Sequence, residues 1–321
     1  AYCEGYLEST YGGNKDNFRI VGHCEAELDE NDEDSDFYDL KSTEDYNYVC
    51  DLARSGLTDD AKFEEFCSLV DIDNLMLYYS IQIYINNEDW PGNNFKAWRY
   101  YPSENEEVTS PYLDGKWRFL LFDVEFGMGL YGNGYREPTL SYLLNGKHMG
   151  GASVFLTALL EREDMKVKLA NTLCDLMYGV MSYENALKVV EEKIALCDTE
   201  CMYALDNGYT STWARRETFA DSRQQIRDFF MNRADIVIRD ITRVMGFEND
   251  MTNIALINGE GGTSFLNSVG IIGGEKSARN YFADCYVPLR AAPYTGYCFS
   301  YWDINGERIE EPATVITSDM A

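Results

Sequence analysis

Residues 71–101, DIDNLMLYYSIQIYINNEDWPGNNFKAWRYY, hold the transition on which the fold turns. Asp71 stands in an N-cap position, and the run behind it is apolar on nearly every side, which describes a helix buried over most of its surface. That helix runs into Asn87, Asp89, a Pro91-Gly92 corner and the pair Asn93-Asn94, and then into the β-rich run FKAWRYY. An ordinary helix-ending turn would account for these residues, with Asn side chains bonding the main chain around the Pro-Gly corner.

A second β-rich run, KWRFLLFDV at 116–124, follows a polar connection carrying Leu113-Asp114-Gly115. The two runs are expected to form a hairpin with a long loop, its second strand ending at Asp123. Three zones surround it. Residues 1–60 are mixed: DNFRIV at 16–21 reads as a short strand and DENDEDSDFYD at 29–39 as a solvated acidic loop. Asp32, Asp34 and Asp36 imitate the start of a calcium-binding loop, but Phe37 stands where the sharp turn needs Gly and Thr43 where the loop needs Glu. Residues 61–245 read as mostly helical, with helices over 152–178, over 183–205 behind Ser182, and over 214–245 up to Gly246. Residues 247–321 change to short alternating runs punctuated by Gly, Pro and Asn-Gly, which is the pattern of a small all-β module.

The 321 residues, 45% hydrophobic and 14% aromatic, suffice for a large buried core. A net charge of −28 repels nucleic acid and anionic membranes and suits a basic partner, or else only solvates the surface. No apolar run reaches the roughly eighteen residues of a membrane span. The opening AYCEGYLEST has neither an initiator Met nor a leader pattern, so a processed product or an excised fragment is expected. The nine cysteines are odd in number and scattered, and only two histidines accompany them, so buried or free thiols are expected rather than a disulfide framework or a zinc site. His23 and His148 read as ordinary loop or surface residues.

The order of parts carries the chemistry. A buried helix delivers Asp89, Asn94 follows five positions on, and a hairpin then delivers Asp123 in FDVEFG. Phosphoryl transfer uses such parts: a carboxylate for the acceptor hydroxyl, an Asn and an acid for divalent metal, and a rigid hairpin to fix their separation. The order matches the catalytic half of a protein kinase, where Asp-x4-Asn precedes Asp-Phe-Gly. The apolar flanks in RFLLFDVEFGMGL lead to the expectation that one or both of Asp123 and Glu125 are buried, which would require a metal or cation beside them. The alternative is a pair of exposed acids on alternate strand positions.

LMLYYSIQIYINNEDWPGNNFKAWRYY, taken with GKWRFLLFDVEFGMG, resembles the spore coat protein H (CotH) kinase family, with its N-x-D-W-P-x-N-N and G-K-W-x-F-x-x-W-D-x-D segments. FLTALLEREDMKVKLANTLCDLM and FADSRQQIRDFFMNRADIV resemble the family's later helices, the second ending in an F-x-x-R pattern. The resemblance implies an α+β fold: the mostly helical C-lobe of an atypical protein-kinase-like fold with a catalytic β-hairpin, followed here by the all-β module. It divides the chain into a kinase-like domain over 1–246 and a module over 247–321. It further implies transfer of the γ-phosphoryl group of ATP, with Mg2+ or Mn2+, to Ser/Thr hydroxyls of a protein, a basic one given the acidic surface. Asp89 would be catalytic. Asn94, Asp123 and Glu125 would be the metal residues, Glu125 replacing the family's second Asp and reaching one methylene further. Asn87, Trp90 and Asn93 would support the loop, and Phe122 replaces the usual Trp. The residues that hold the nucleotide are not singled out. Residues 1–60 carry no G-x-G-x-x-G and no strand with an obvious Lys, so the amino-terminal lobe is expected to be missing or truncated.

The tail YVPLRAAPYTGYCFSYWDINGERI resembles small β repeats of bacterial surface proteins, implying a secreted or cell-surface protein. The module would be a spacer, or would bind a cell-wall or surface ligand through Trp302 and neighbouring tyrosines. The competing reading of the whole chain is a non-catalytic surface scaffold or adhesion module on a pseudokinase-like fold. Glycoside hydrolysis by Asp123 and Glu125 is disfavoured, because neighbours on one strand cannot flank a glycosidic bond from opposite faces.

Overall fold

The computed structural model describes residues 3–22, 40–108, 110–130, 134–145, 151–208 and 216–320. The acidic loop at 29–39 and both histidines lie outside the described residues. α1 (Glu4–Tyr11) leads to β1 (Phe18–Gly22), and α2 (Leu40–Arg54), α3 (Asp60–Leu69) and α4 (Ile72–Ile85) follow. Then come β2 (Lys96–Tyr100), β3 (Arg118–Leu120), α5 (Thr139–Leu144), α6 (Gly151–Leu159), α7 (Glu163–Met177), α8 (Tyr183–Asp206) and α9 (Arg216–Met245). Short strands complete the chain: β4 (Met251–Ile257), β5 (Gly262–Leu266), β6 (Val269–Ile271), β7 (Lys276–Phe282), β8 (Val287–Pro293), β9 (Trp302–Ile304), β10 (Glu307–Ile309) and β11 (Ala313–Ile316). The architecture is mixed α+β, as the sequence implies. It resolves into two compact units: Ala1–Gln82, Asn87–Gly127 and Ser141–Lys166 in the first, and Ile83–Asn86, Met128–Leu140 and Val167–Ala321 in the second.

In the first unit the hairpin pairs antiparallel with Lys96 opposite Leu120 and Trp98 opposite Arg118. β1, the strand expected from DNFRIV, lies along the other edge of β2 with Ile20 opposite Trp98. Both faces of this three-stranded sheet are covered. Leu7, Phe18, Trp98, Tyr100, Leu113 and Leu120 form one cluster. On the other side Tyr78 of α4 packs at 5.6 Å from Phe119, and Phe119 at 5.7 Å from Phe95. Large side chains buried in this way stabilise by about 2–3 kcal/mol each before the ordering cost is counted.

α4 starts where its cap predicts: Asp71 Oδ1 accepts the Asn74 N–H at 3.0 Å. Asp71 also accepts from Arg118 Nε at 2.9 Å, while Asp114 accepts from Arg118 Nη1 at 2.8 Å and Nη2 at 3.1 Å, so one buried guanidinium ties the hairpin loop to the helix start.

Two expectations need correction. β3 stops at Leu120, three residues before Asp123. Its partner strand begins only at Lys96, because Asn94 has a left-handed backbone (φ 55°), and Asp123 itself has φ 53°, so neither can continue a pleated ladder. The helix expected over 152–178 is two helices broken at Leu160–Arg162. Glu163 and Asp164 start a new first turn, where acidic side chains favour a helix N-terminus. The Arg162 guanidinium turns out of line to Asp60 at 2.9 Å and the Leu57 carbonyl at 3.2 Å.

In the second unit Ser182 caps α8, its Oγ accepting the Asn185 N–H at 3.4 Å, and Gly246 ends α9 at φ 76°. The terminal strands form a four-stranded sheet of order β11-β8-β5-β6, a β4-β7 pair and a β9-β10 hairpin turned at Asn305-Gly306. A cavity of about 560 Å3 within this module has Phe299, Tyr301 and Trp302 in its wall. The eight described cysteines are thiols, with Cys50, Cys174 and Cys285 buried. Among the described residues no helix is long and apolar enough to cross a membrane.

Candidate functional site

α4 ends on Asn86, whose left-handed φ of 49° turns the chain out of the helix. Asn87, 2% exposed, holds the turn from inside: its Nδ2 donates to Gln82 Oε1 at 3.0 Å and its Oδ1 accepts the Asp89 N–H at 3.3 Å. Trp90 is buried edge-on against Tyr78 and Tyr79, at 5.8 and 5.9 Å between ring centroids, and its bond to Pro91 is cis. The Asn93 N–H closes the turn on the Asp89 carbonyl at 3.0 Å.

These supports present Asp89 with its carboxylate already oriented. Oδ1 accepts from Asn93 Nδ2 and Oδ2 from Asn94 Nδ2, each at 2.8 Å. The same Asn94 amide donates to the Asp123 carbonyl at 3.2 Å, so a single NH2 group joins Asp89 to the Asp123 turn. Asn94 is 9% exposed, and both of its N–H bonds are engaged, which aims its Oδ1 away from them. Among the described residues nothing bonds that oxygen or the Asp123 carboxylate.

Asp123 and Glu125 are both exposed, contrary to the expected burial. The apolar residues that suggested burial lie on either side of the acids. Phe119 and Leu120 fill the core from β3, whereas the left-handed turn at Asp123 lifts 123–125 out of the sheet. The acids are exposed as the alternative reading held, but in a turn rather than on a strand. The structure thus brings Asp89, Asn93, Asn94 and the Asp123 turn together and leaves Glu125 on the rim. It also adds a cation that the sequence reading passed over: Lys96 Nζ lies 4.8 Å over the ring of Phe122, the residue before Asp123. Its signal was position, two residues beyond Asn94 at the start of β2.

Asn94 Oδ1, the Asp123 carboxylate and, at longer reach, the Glu125 carboxylate are hard oxygen donors without competing partners, and they fit a divalent ion of the magnesium type. No group of three or more His, Cys, Asp or Glu side chains converges among the described residues.

Among curated proteins none matches the chain. The family model described as CotH kinase protein matches residues 8–237, well over half of the chain, and that stretch contains Asp89, Asn94, Asp123 and the helix that ends on them. The chain belongs to the CotH kinase family.

Proposed function

We propose that this chain transfers the γ-phosphoryl group of ATP to Ser or Thr hydroxyls of a protein substrate, with Mg2+ or Mn2+ as the metal. The observation that carries this reading is the Asn94 amide joining the Asp89 carboxylate to the Asp123 turn while the donor oxygens of Asn94 and Asp123 stay open. Each Asp89 oxygen uses one lone pair on an Asn amide and keeps another for the incoming hydroxyl. As the hydroxyl oxygen attacks the γ-phosphorus, the bond from phosphorus to the β,γ-bridging oxygen breaks, ADP leaves, and the hydroxyl proton passes to Asp89. Asn93 and Asn94 hold that carboxylate in one rotamer, so orientation precedes substrate arrival. The metal would be held by Asn94 Oδ1 and Asp123, with Glu125 through water, and it would neutralise charge on the phosphate oxygens. The acidic surface favours a basic substrate segment, and the β module favours a secreted or surface setting in which its aromatic-walled cavity receives a cell-wall or surface ligand.

The test is phosphate incorporation, read by mass spectrometry, into the protein itself and into basic Ser-containing peptides with magnesium or manganese ATP. Asp89→Asn and Asp123→Ala are each expected to reduce incorporation by at least about 100-fold. A folded chain that binds metal-ATP in neither form and transfers nothing would leave the scaffold reading in its place.

A further inference from the structure

The two loops of the candidate site share one anchor far away in sequence. Arg233 of α9 is 0% exposed, yet among the described residues no carboxylate bonds it. Its Nε donates to the Tyr84 carbonyl at 2.7 Å, and Nη2 donates to the Ile83 carbonyl at 2.7 Å and Thr139 Oγ1 at 2.8 Å. Nη1 donates to the carbonyls of Glu137 at 2.6 Å and Tyr135 at 2.9 Å. All five N–H bonds of the guanidinium are therefore used. Ile83 and Tyr84 lie in the last turn of α4, where carbonyls without an i+4 helical partner and the helix dipole offer partial negative charge to a buried cation, the Ile83 carbonyl also accepting the Asn86 N–H at 3.3 Å. Burial lowers the Arg233 guanidinium to about 10, against the raising effect of Asp240, Tyr84 and Glu137, so it stays charged at neutral pH. Two further bonds close the same knot. The Met128 N–H donates to the Ile85 carbonyl at 2.7 Å, and Thr139 Oγ1 donates to Asn86 Oδ1 at 2.5 Å.

The chain leaves this knot at Asn86, three residues before Asp89, and returns to it at Met128, five residues after Asp123. We propose that Arg233 is a positioning residue for phosphoryl transfer: by clamping the last carbonyls of α4 to residues 135–139, it fixes the ends of both loops that carry Asp89, Asn94 and Asp123. This rests on the phosphoryl-transfer reading above. Arg233 is fully buried and acts through the main-chain carbonyls and the Thr139 hydroxyl that it holds. A lysine could not replace it, since an ammonium offers three donors from one point rather than five in a planar fork.

The experiment compares the full chain with Arg233→Lys, the milder Thr139→Val, and Arg239→Lys on the exposed side of α9 as control. Initial rates, hydrogen exchange and thermal unfolding are measured on each. In Arg233→Lys, kcat is expected to fall about 100-fold while KM for ATP changes by less than about 3-fold. Amides of 84–90 and 128–130 should exchange faster while α3 and β8 keep their protection. Thr139→Val should shift both readouts the same way by less, and Arg239→Lys neither. Unchanged kcat and exchange would overturn the proposal, as would a loss of protection spread evenly over the chain, which would make Arg233 a general stabiliser. If the unaltered chain transfers no phosphate, the phosphoryl-transfer reading fails by itself. The exchange pattern then decides the clamp alone: local loosening of 84–90 and 128–130 upholds it and its absence overturns it.

Discussion

At the scale of single residues, the structure uses arginine as a multi-point clamp, and Arg118 shows how such a clamp responds to pH. Its partner Asp114 also accepts the Lys116 N–H at 3.1 Å. Burial raises the Asp114 carboxyl, but the Arg118 hydrogen bonds, the Lys116 N–H and the charges of both cations outweigh it and hold the carboxyl below its ordinary value. The folded chain therefore binds this proton less readily than the unfolded chain does. The resulting stabilisation is fully present above the unfolded value near pH 4 and is lost as pH falls through the lower, folded value. Asp114→Asn should accordingly be less stable than the unaltered chain at neutral pH, with the gap closing towards about pH 3, as read from urea unfolding at each pH. A gap that is constant with pH would mean that Asp114 acts by hydrogen bonding alone. Residues of this kind mark the limit of sequence reading at the site. Asp89, Asn94 and Asp123 were legible because helix, loop and hairpin come in a fixed order along the chain. That Asn94 and Asp123 both turn left-handed, or that Arg233 serves carbonyls 149 and 150 positions away, is set by packing that no local pattern records.

At the scale of elements, strong period and sharp punctuation were readable, and weak apolar faces were not. α4, the β2-β3 hairpin, β1 and the Ser182 and Gly246 boundaries followed from runs of large apolar residues and their caps. α2 was missed although Tyr46, Val49, Cys50 and Ala53 recur at helical spacing and are buried, because Tyr, Cys and Ala are faint signals beside an acidic flank. α7 and the strands of the tail share a buried polar knot. Asp175, 6% exposed, accepts from Asn267 Nδ2 and Ser268 Oγ at 2.6 Å, from the Ser268 N–H at 3.1 Å and from the Tyr281 hydroxyl at 2.5 Å. Asn171 on the same helix donates to the Tyr286 carbonyl at 2.9 Å. Burial, followed by the neighbouring Asp175 charge, pushes the Tyr281 hydroxyl far up, so the tyrosine stays a donor at any ordinary pH. Asp175→Ala would leave these donors buried without their acceptor and should destabilise the fold by roughly 3 kcal/mol or more. The loss should be accompanied by faster proteolysis between β6 and β8. A change below about 1 kcal/mol, with the strands still protected, would show that apolar contacts alone hold them to α7.

At the scale of the whole molecule, the charge of −28 is too large to be neutral in its effects, and it separates the two accounts given for it. If acidity only keeps the surface solvated, the encounter with a substrate does not depend on the substrate's charge. If it recruits a basic segment, the field raises the local concentration of that segment and its association rate, and added salt erodes both as the screening length shrinks from about 10 Å at 0.1 M to about 3 Å at 1 M. The chemical step should respond far less, because Asp89 and Asn94 are partly or wholly buried and the bond between them spans 2.8 Å, well inside any screening length. The expected result is that kcat/KM for a Ser peptide flanked by Lys and Arg falls at least about 10-fold between 0.05 and 0.5 M salt, while kcat stays within about 2-fold. A Ser peptide flanked by Gly and Gln should show little change in either constant. Parallel salt dependence for both peptides would assign the effect to the chain's own self-repulsion, which salt relieves for any substrate, and would remove the basic segment from the account of the partner.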